Sequence, residues 1–483
     1  MMRRVAMQQV MDHFKELSGI PRCSGREEKV REFLRDWGAR SGFAGRTDAA
    51  GNLLVTVPAS PGQEQAPVIV LQGHMDMVCE KNRDSGHDFA RDPLKLRVEG
   101  EWLRAEETTL GADNGAGLAL AMALAEDRQL THPALELLFT VDEESGLTGA
   151  SCLEPGFFSG RVLINLDSED EGVFTIGCAG GRENTVVFPL QFEPCPEPSL
   201  LFALKISGLQ GGHSGVNIHE RRGNANVLLT RLLAQFHVVA AIRLAAIAGG
   251  SAHNAIAREA TARFAADRTE APRLTGLVGQ IQERLAQEYP NEPKLTVTLQ
   301  SVAEKPERVF ARHSTGRLLD LLQAAPDGVM AMSREVAGLV ETSVNFATIR
   351  EKGEELHLLF SQRSDKEYGI DRLSDRIAAL ARLAGARLLT GNGYPGWQPD
   401  LNSDLLARST RIYRELFAAE PVIEIIHAGL ECGIIGARNP GLAMISIGPT
   451  IQNPHSPDEK LHLPSLAKIY RFTAALLGSY CVV

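Results

Sequence analysis

The sequence lacks the features that would place it in several large functional classes. None of its seven cysteines (23, 79, 152, 178, 195, 432 and 481) stands in a CxxC spacing, and their number is odd. They read as scattered reduced thiols, neither a disulfide framework nor a thiolate zinc site, which suits a cytoplasmic protein. No run approaches the roughly 18 uninterrupted apolar residues of a membrane span. The N-terminal Met1-Met2-Arg3-Arg4 leads into Asp12, Lys15 and Glu16, an amphipathic helix rather than a signal peptide's apolar core. There is no Lys/Arg-rich stripe, and the net charge is −10. Nucleic acid and anionic membrane are thereby disfavoured as partners, whereas a site rich in metal-binding carboxylates is compatible.

What remains is an ordinary globular composition, 44% hydrophobic and 23% charged, in 483 residues. That length exceeds what one core usually supports, so two domains are expected. Helical periodicity at 5–17 and 26–38 is followed by strand-like runs at 53–57, 68–72, 135–141 and 162–166. An Ala- and Leu-rich helix spans 115–126. This alternation predicts an α/β domain with a central mixed, largely parallel sheet. Near 185 the texture changes. Residues 187–390 read as an inserted α+β domain of two sandwich-like halves. The linker Gly391-Asn392-Gly393-Tyr394-Pro395-Gly396 returns the chain to the first domain, which comprises 1–186 and 391–483.

Five segments carry the chemistry. The run Leu71-Gln72-Gly73-His74-Met75-Asp76 follows an apolar strand, and residues two apart in an extended chain face the same way. Leu110-Gly111-Ala112-Asp113-Asn114-Gly115 opens a helix. Strand 135–141 ends in Asp142-Glu143-Glu144, and strand 162–166 in Asp167-Ser168-Glu169-Asp170. Strand 442–447 leads to Asn453-Pro454-His455-Ser456. Carboxyl ends of strands are where open α/β sheets keep their active sites. Each residue alone is as well explained by a turn or a helix cap. Two histidines and three carboxylates at strand ends are the inventory of a two-metal site, zinc foremost, with cobalt or manganese as alternatives. Asp76 is spaced to accept the second ring N–H of His74. Of the adjacent Glu143 and Glu144, one can bind metal while the other stays free as a general base. Asp113, held among glycines, is the candidate bridging ligand.

The set Gly73-His74-Met75-Asp76, Gly111-Ala112-Asp113-Asn114-Gly115, Glu143-Glu144-Ser145-Gly146, Asn165-Leu166-Asp167-Ser168 and Pro454-His455-Ser456 resembles the co-catalytic zinc exopeptidases of the aminoacylase, carnosinase and desuccinylase superfamily. The likeness covers essentially the whole chain. Leu209–Gly215 and His427–Gly433 resemble the bacterial cytosolic dipeptidases of that superfamily that act on aminoacyl-histidine. The resemblance implies a catalytic domain with an inserted lid and dimerisation domain, two divalent metals and a dipeptide substrate such as β-alanyl-histidine (carnosine). It implies His74 and Asp167 on one metal, Glu144 and His455 on the other, and Asp113 between them. Asp76 would orient His74, and Glu143 would be the base. A cis peptide after Asp113 often accompanies these sites. His213, in a Gly-rich loop, would stabilise the oxyanion. Asn254 and Arg363 would hold the substrate carboxylate, and His427 and Glu431 would also touch substrate. A homodimer is expected. An N-acyl amino-acid deacylase, or a broader di- or tripeptidase, is the competing enzymatic reading. A non-catalytic binding protein on a decayed fold is disfavoured, because all five ligands and Glu143 are present.

Overall fold

The computed structural model describes residues 2–303, 306–334, 336 and 338–482, and the chain divides into two compact units. The first comprises Met1–Cys178, Trp397–Ile425 and Leu430–Val483. The second comprises Ala179–Gly396 and Ile426–Gly429. The expected insert thus begins earlier and ends later than 187–390. The reason is local: Gly180–Pro189 is one continuous strand of the second unit, and the Gly-rich linker pairs back on it, Tyr394 N donating to Gly181 O at 2.8 Å.

The first unit is built on an eight-stranded sheet. Its order is Ala44–Thr47, Leu53–Val57, Leu135–Thr140, Ile69–His74, Val162–Asn165, Ala443–Ser446, Val173–Cys178 and Val422–Ile426. The four central strands, from Leu135–Thr140 to Ala443–Ser446, run parallel. Strands Ile69–His74 and Leu135–Thr140 are buried at every position, as apolar runs in a covered parallel sheet should be. The helix Ala112–Glu126 is apolar on almost every face, and all of its residues but Asp113 and Glu126 are buried. A helix of that composition belongs inside a core rather than on a surface.

The second unit contains a nine-stranded antiparallel sheet among the described residues. Strands Ser199–Ser207, Arg243–Gly249, Ala260–Asp267 and Thr296–Val302, with helices Ala225–Ala240 and Ala271–Glu288, form one βαββαβ half. Gly180–Pro189, Val340–Lys352, Glu355–Ser364 and Arg387–Thr390, with helices Arg312–Ala324 and Glu367–Leu383, form the other. The strand orders of the halves mirror each other, and they meet where Arg243–Gly249 pairs with Val340–Lys352. The weak internal repeat in the sequence is therefore a duplicated ferredoxin-like unit joined edge to edge.

One expectation fails. Cys23 and Cys79 are joined by a disulfide, with Cα atoms 5.7 Å apart, leaving Cys152, Cys178, Cys195, Cys432 and Cys481 free. A bridge between Cys23 and Met77 lays the two segments side by side. A separation of 56 residues gives no hint of that in the sequence. No helix among the described residues is long and apolar enough to cross a membrane.

Candidate active site

Because the central strands are parallel, their carboxyl ends lie along one edge, and the loops leaving that edge converge. His74 is the last residue of its strand and is 1% exposed. Its Nδ1 lies 3.2 Å from Asp76 Oδ1, and its Nε2 lies 3.0 Å from Asp113 Oδ1 and 3.3 Å from Asp167 Oδ1. His455 Nε2 lies 3.1 Å from Asp113 Oδ2 and 3.1 Å from Glu144 Oε2. Asp113 therefore presents one carboxylate oxygen to each imidazole. The peptide bond that follows it, to Asn114, is cis. Asp142 and His455 adopt left-handed φ values of 52° and 58°, a conformation that non-glycine residues hold only where surrounding contacts fix it.

Close packing explains the small residues. A Cβ on Gly73 would fall 2.2 Å from Asn114 Oδ1. Asn114 in turn donates from Nδ2 to Leu166 O at 2.7 Å, tying the Asp113 segment to the one bearing Asp167. Asp76, fully buried, does more than orient His74. It also accepts from Ser24 Oγ at 2.8 Å and from the backbone amides of Glu143 and Glu144, each at 3.1 Å. One carboxylate thus positions the first imidazole and the paired glutamates together.

The electrostatics are those of crowded carboxylates. Burial pushes Asp167 up to about 7, with Asp113 and Glu431 adding to it against the pull of His74. Burial likewise raises Glu143 well above its usual range, His74 opposing and Asp167, Glu431 and Glu144 reinforcing. Hydrogen bonds to Asp113 and Glu144 lift His455 to about 11. Burial would raise Asp76, but His74, Ser24 and the Glu143 amide bring it down to about 2. Glu169, unremarked in the sequence, is driven to about 8 by burial and by Asp113 and Asp167. So dense a negative potential favours cations.

The residues fit divalent metal. Ligand atoms of His74, Asp113 and Glu144 all lie within 4.8 Å of one another. Two donors about 2 Å from one tetrahedral ion stand roughly 3.3 Å apart, and the four imidazole–carboxylate separations run from 3.0 to 3.3 Å. Buried Glu144 Oε1 has no hydrogen-bond partner among the described residues.

The remaining sequence candidates are placed differently. Glu431, expected to touch substrate, is 1% exposed, and its Oε2 accepts from Gln72 Nε2 at 2.6 Å and Thr140 Oγ1 at 2.7 Å. Asn165 extends this ladder by donating to Gln72 Oε1. That makes Glu431 part of a buried polar network among the strands, while its Oε1 has no hydrogen-bond partner among the described residues. In the second unit, His213 Nδ1 accepts from the amides of Gly215 and Val216 at 3.3 and 3.1 Å. Arg363, 7% exposed, donates to Tyr394 Oη at 2.8 Å, and its Nη2 is 3.4 Å from His213 Nε2. His427 is neutral, held near 3 by burial and by Arg363 and His213. Its Nε2 pairs with Ser343 Oγ at 2.7 Å. It therefore packs beside Arg363 with that nitrogen already engaged. Asn254 is exposed, and its carbonyl accepts from Ser214 N. Tyr394 was not anticipated: it lies in a stretch that reads as a linker. Arg22 and Glu459, both buried, were also missed.

Comparison with known proteins agrees with this geometry. Residues 70–479 match the model of peptidase family M20/M25/M40. The chain belongs to this family. It is 41% identical to the cytosol non-specific dipeptidase of Escherichia coli (strain K12) over 98% of both chains. Its structure is similar to that of the aminoacylhistidine dipeptidase from Vibrio alginolyticus, with TM-score 0.87, 38% identity, and 98% and 96% of the two chains covered. The aminopeptidase PepT from Bacillus cereus shares the fold, with TM-score 0.58 at 15% identity and 98% of both chains covered. The expected peptidase family and α/β class are thus those of the molecule.

Proposed function

We propose that this M20 peptidase is a two-metal dipeptidase that cleaves short peptides with a free amino terminus, aminoacyl-histidine dipeptides such as β-alanyl-histidine among them. Asp113, with one oxygen toward each of His74 and His455, is the observation that carries this reading. In it His74 and Asp167 hold one ion, Glu144 and His455 the other, and Asp113 both. Zinc is the ion that best suits two imidazoles with carboxylates. When bound, the ions polarise the scissile carbonyl and make water more acidic.

The chain's own groups supply the rest. Glu143 is the general base: its amide is fixed by Asp76, and among the described residues no hydrogen bond to its carboxylate competes with the attacking water. Its raised pKa suits a group that takes a proton and then passes it to the leaving amine. Asp76 holds the His74 ring by Nδ1, leaving Nε2 for metal. His213 donates to the developing oxyanion. Arg363 binds the substrate carboxylate, assisted by Asn254, and Tyr394 and His427 set the guanidinium's position. A cytoplasmic location is part of this reading, in keeping with the cytosol non-specific dipeptidase of Escherichia coli. A homodimer is part of the same reading.

The deciding experiment pairs metal analysis of the purified protein with a substrate panel of carnosine, other dipeptides and N-acetyl amino acids. The expected result is about two bound ions and hydrolysis of dipeptides alone. Cleavage of N-acetyl amino acids without any dipeptide would sink the reading in favour of a deacylase.

A further inference from the structure

Glu459 lies four residues after His455 and is 2% exposed. Both of its carboxylate oxygens are engaged. Oε2 accepts from Leu110 N at 2.7 Å and Gly111 N at 2.9 Å, and Oε1 from Ala112 N at 2.8 Å and Asp113 N at 3.3 Å. These four consecutive amides lie ahead of the regular turns of the helix Ala112–Glu126, because Asp113 and Asn114 have non-helical φ/ψ, and they have no intrahelical partner. The N-cap residue is Gly111, which has no side chain to take them.

Beside it, the guanidinium of Arg22, 1% exposed, donates to Met75 O at 3.2 Å, Asp76 O at 2.9 Å and Gly111 O at 2.5 Å. Each of these carbonyls belongs to a segment bearing His74 with Asp76, or Asp113. A closed circuit results. It runs from His455 along the backbone to Glu459, through its carboxylate to the amide of Asp113, and through the Asp113 side chain back to His455 Nε2. His455 needs such an anchor, because its side chain is half exposed and its backbone sits in the left-handed region.

We propose that Glu459 is a positioning residue for the metal pair, fixing the separation of Asp113 and His455 by binding the backbone of one to the segment of the other. This rests on the two-metal reading above. A role confined to helix capping would affect stability alone. The positioning role must also appear in metal affinity, since groups that hold ligands in place are typically worth about 10- to 100-fold in affinity or activity.

The test compares the wild-type holoenzyme with Glu459→Gln, Glu459→Asp and Glu136→Gln. Glu136 is a matched control: a buried carboxylate of the same unit that accepts from the amides of Ser159 and Gly160, near the opposite end of its strand from Glu143. Zinc content after gel filtration, zinc affinity by chelator competition, thermal midpoint, and kcat with KM at saturating zinc are measured. Glu459→Gln replaces an all-acceptor group with one that presents N–H to N–H. It is expected to weaken at least one zinc by about 10- to 100-fold and to lower kcat comparably, with KM within threefold. Glu459→Asp, one methylene short, is expected to fall between it and wild type. Glu136→Gln is expected to lose thermal stability while keeping zinc and kcat. Wild-type zinc affinity and kcat in the Glu459 variants would overturn the assignment, and the Asp variant alone decides it where the Gln variant does not fold. If His455→Ala instead kept two tightly bound zinc ions and full kcat, the two-metal reading itself would fail.

Discussion

The two units bring functional side chains together by opposite means. In the first, four parallel strands end at one edge, so residues at or just past the strands' ends are brought near one another. His74, Glu143, Glu144 and Asp167 all occupy that position. In the second, the sheet is antiparallel and its strands end alternately at both edges. Its cluster draws on a loop (His213), the carboxyl end of an antiparallel strand (Arg363), a linker (Tyr394) and a returning segment (His427). The charges differ as well. Carboxylates crowd the first site and raise one another, whereas burial and the cation Arg363 hold His427 near 3 in the second. Parallel topology makes an edge into a site by construction, while an antiparallel sheet must assemble one case by case.

If this contrast is a division of labour, with chemistry in one unit and substrate handling in the other, graded losses should follow. The largest belongs to Glu143. Glu143→Gln should lower kcat by about 10³, within the range of a lost general base, with KM and metal content unchanged. Steady-state kinetics with metal analysis checks this, and a loss under tenfold would move the base elsewhere. Next comes His213→Ala, expected to lower kcat by about 10² to 10³, as for a lost oxyanion donor, with both metals retained. A change confined to KM would make His213 a binding group rather than an oxyanion donor.

Arg363→Lys should act mainly on KM. A lysine keeps the charge but loses the planar fork and the bond to Tyr394 Oη. The expected rise is about tenfold, equivalent to about 1.4 kcal/mol. An amidated dipeptide, which has no carboxylate to bind, should be cleaved equally by both forms. Wild-type KM for the free dipeptide would remove Arg363 from substrate handling.

The same contrast explains what could be read from the sequence. The strand-end residues were legible because an apolar run followed by His or Asp marks both fold and site in one stretch. The resemblance to a known family then rested on those motifs. Glu459 was not legible: a glutamate in Pro457-Asp458-Glu459-Lys460 looks like any solvated turn, and its four amide partners lie some 350 residues away. Arg22 is similar, a buried guanidinium whose partners are all backbone carbonyls, which carry no sequence signature. Tyr394 lies among glycines that signal a linker, yet its ring packs against Gly181 and Gly429, where a Cβ would fall 2.6 Å from it. Cys23 and Cys79 read as unrelated thiols for the same reason. Periodicity reports burial along one element, not partners that only the tertiary fold brings near.

The smallest predicted effect concerns stability and sets a buried ion pair of the first unit against a surface pair of the second. His13 Nε2 lies 3.0 Å from Glu126 Oε2, with side chains 11% and 26% exposed, and Glu126 also accepts from Trp37 and Ser41. Hydrogen bonding to His13 outweighs burial and brings Glu126 down to about 2, while Glu126 and Glu16 raise His13 against its burial. The depressed glutamate stabilises the fold above its unfolded pKa near 4.5, and that contribution fades as pH falls through about 2. The raised histidine stabilises it below 6.5, and that contribution is lost as pH rises through its folded value. The pair therefore works best between about 4.5 and 6.5. Glu126→Gln should cost on the order of 1.5 kcal/mol at pH 5.5 and less at pH 9, measured by urea unfolding. Arg231 and Glu288 in the second unit are 39% and 44% exposed, so Glu288→Gln should cost only about 0–1 kcal/mol, and less in high salt. Equal losses for the two variants at pH 5.5, or a Glu126→Gln loss that does not shrink at pH 9, would show that the first unit's buried charges are no better placed than the second unit's exposed ones.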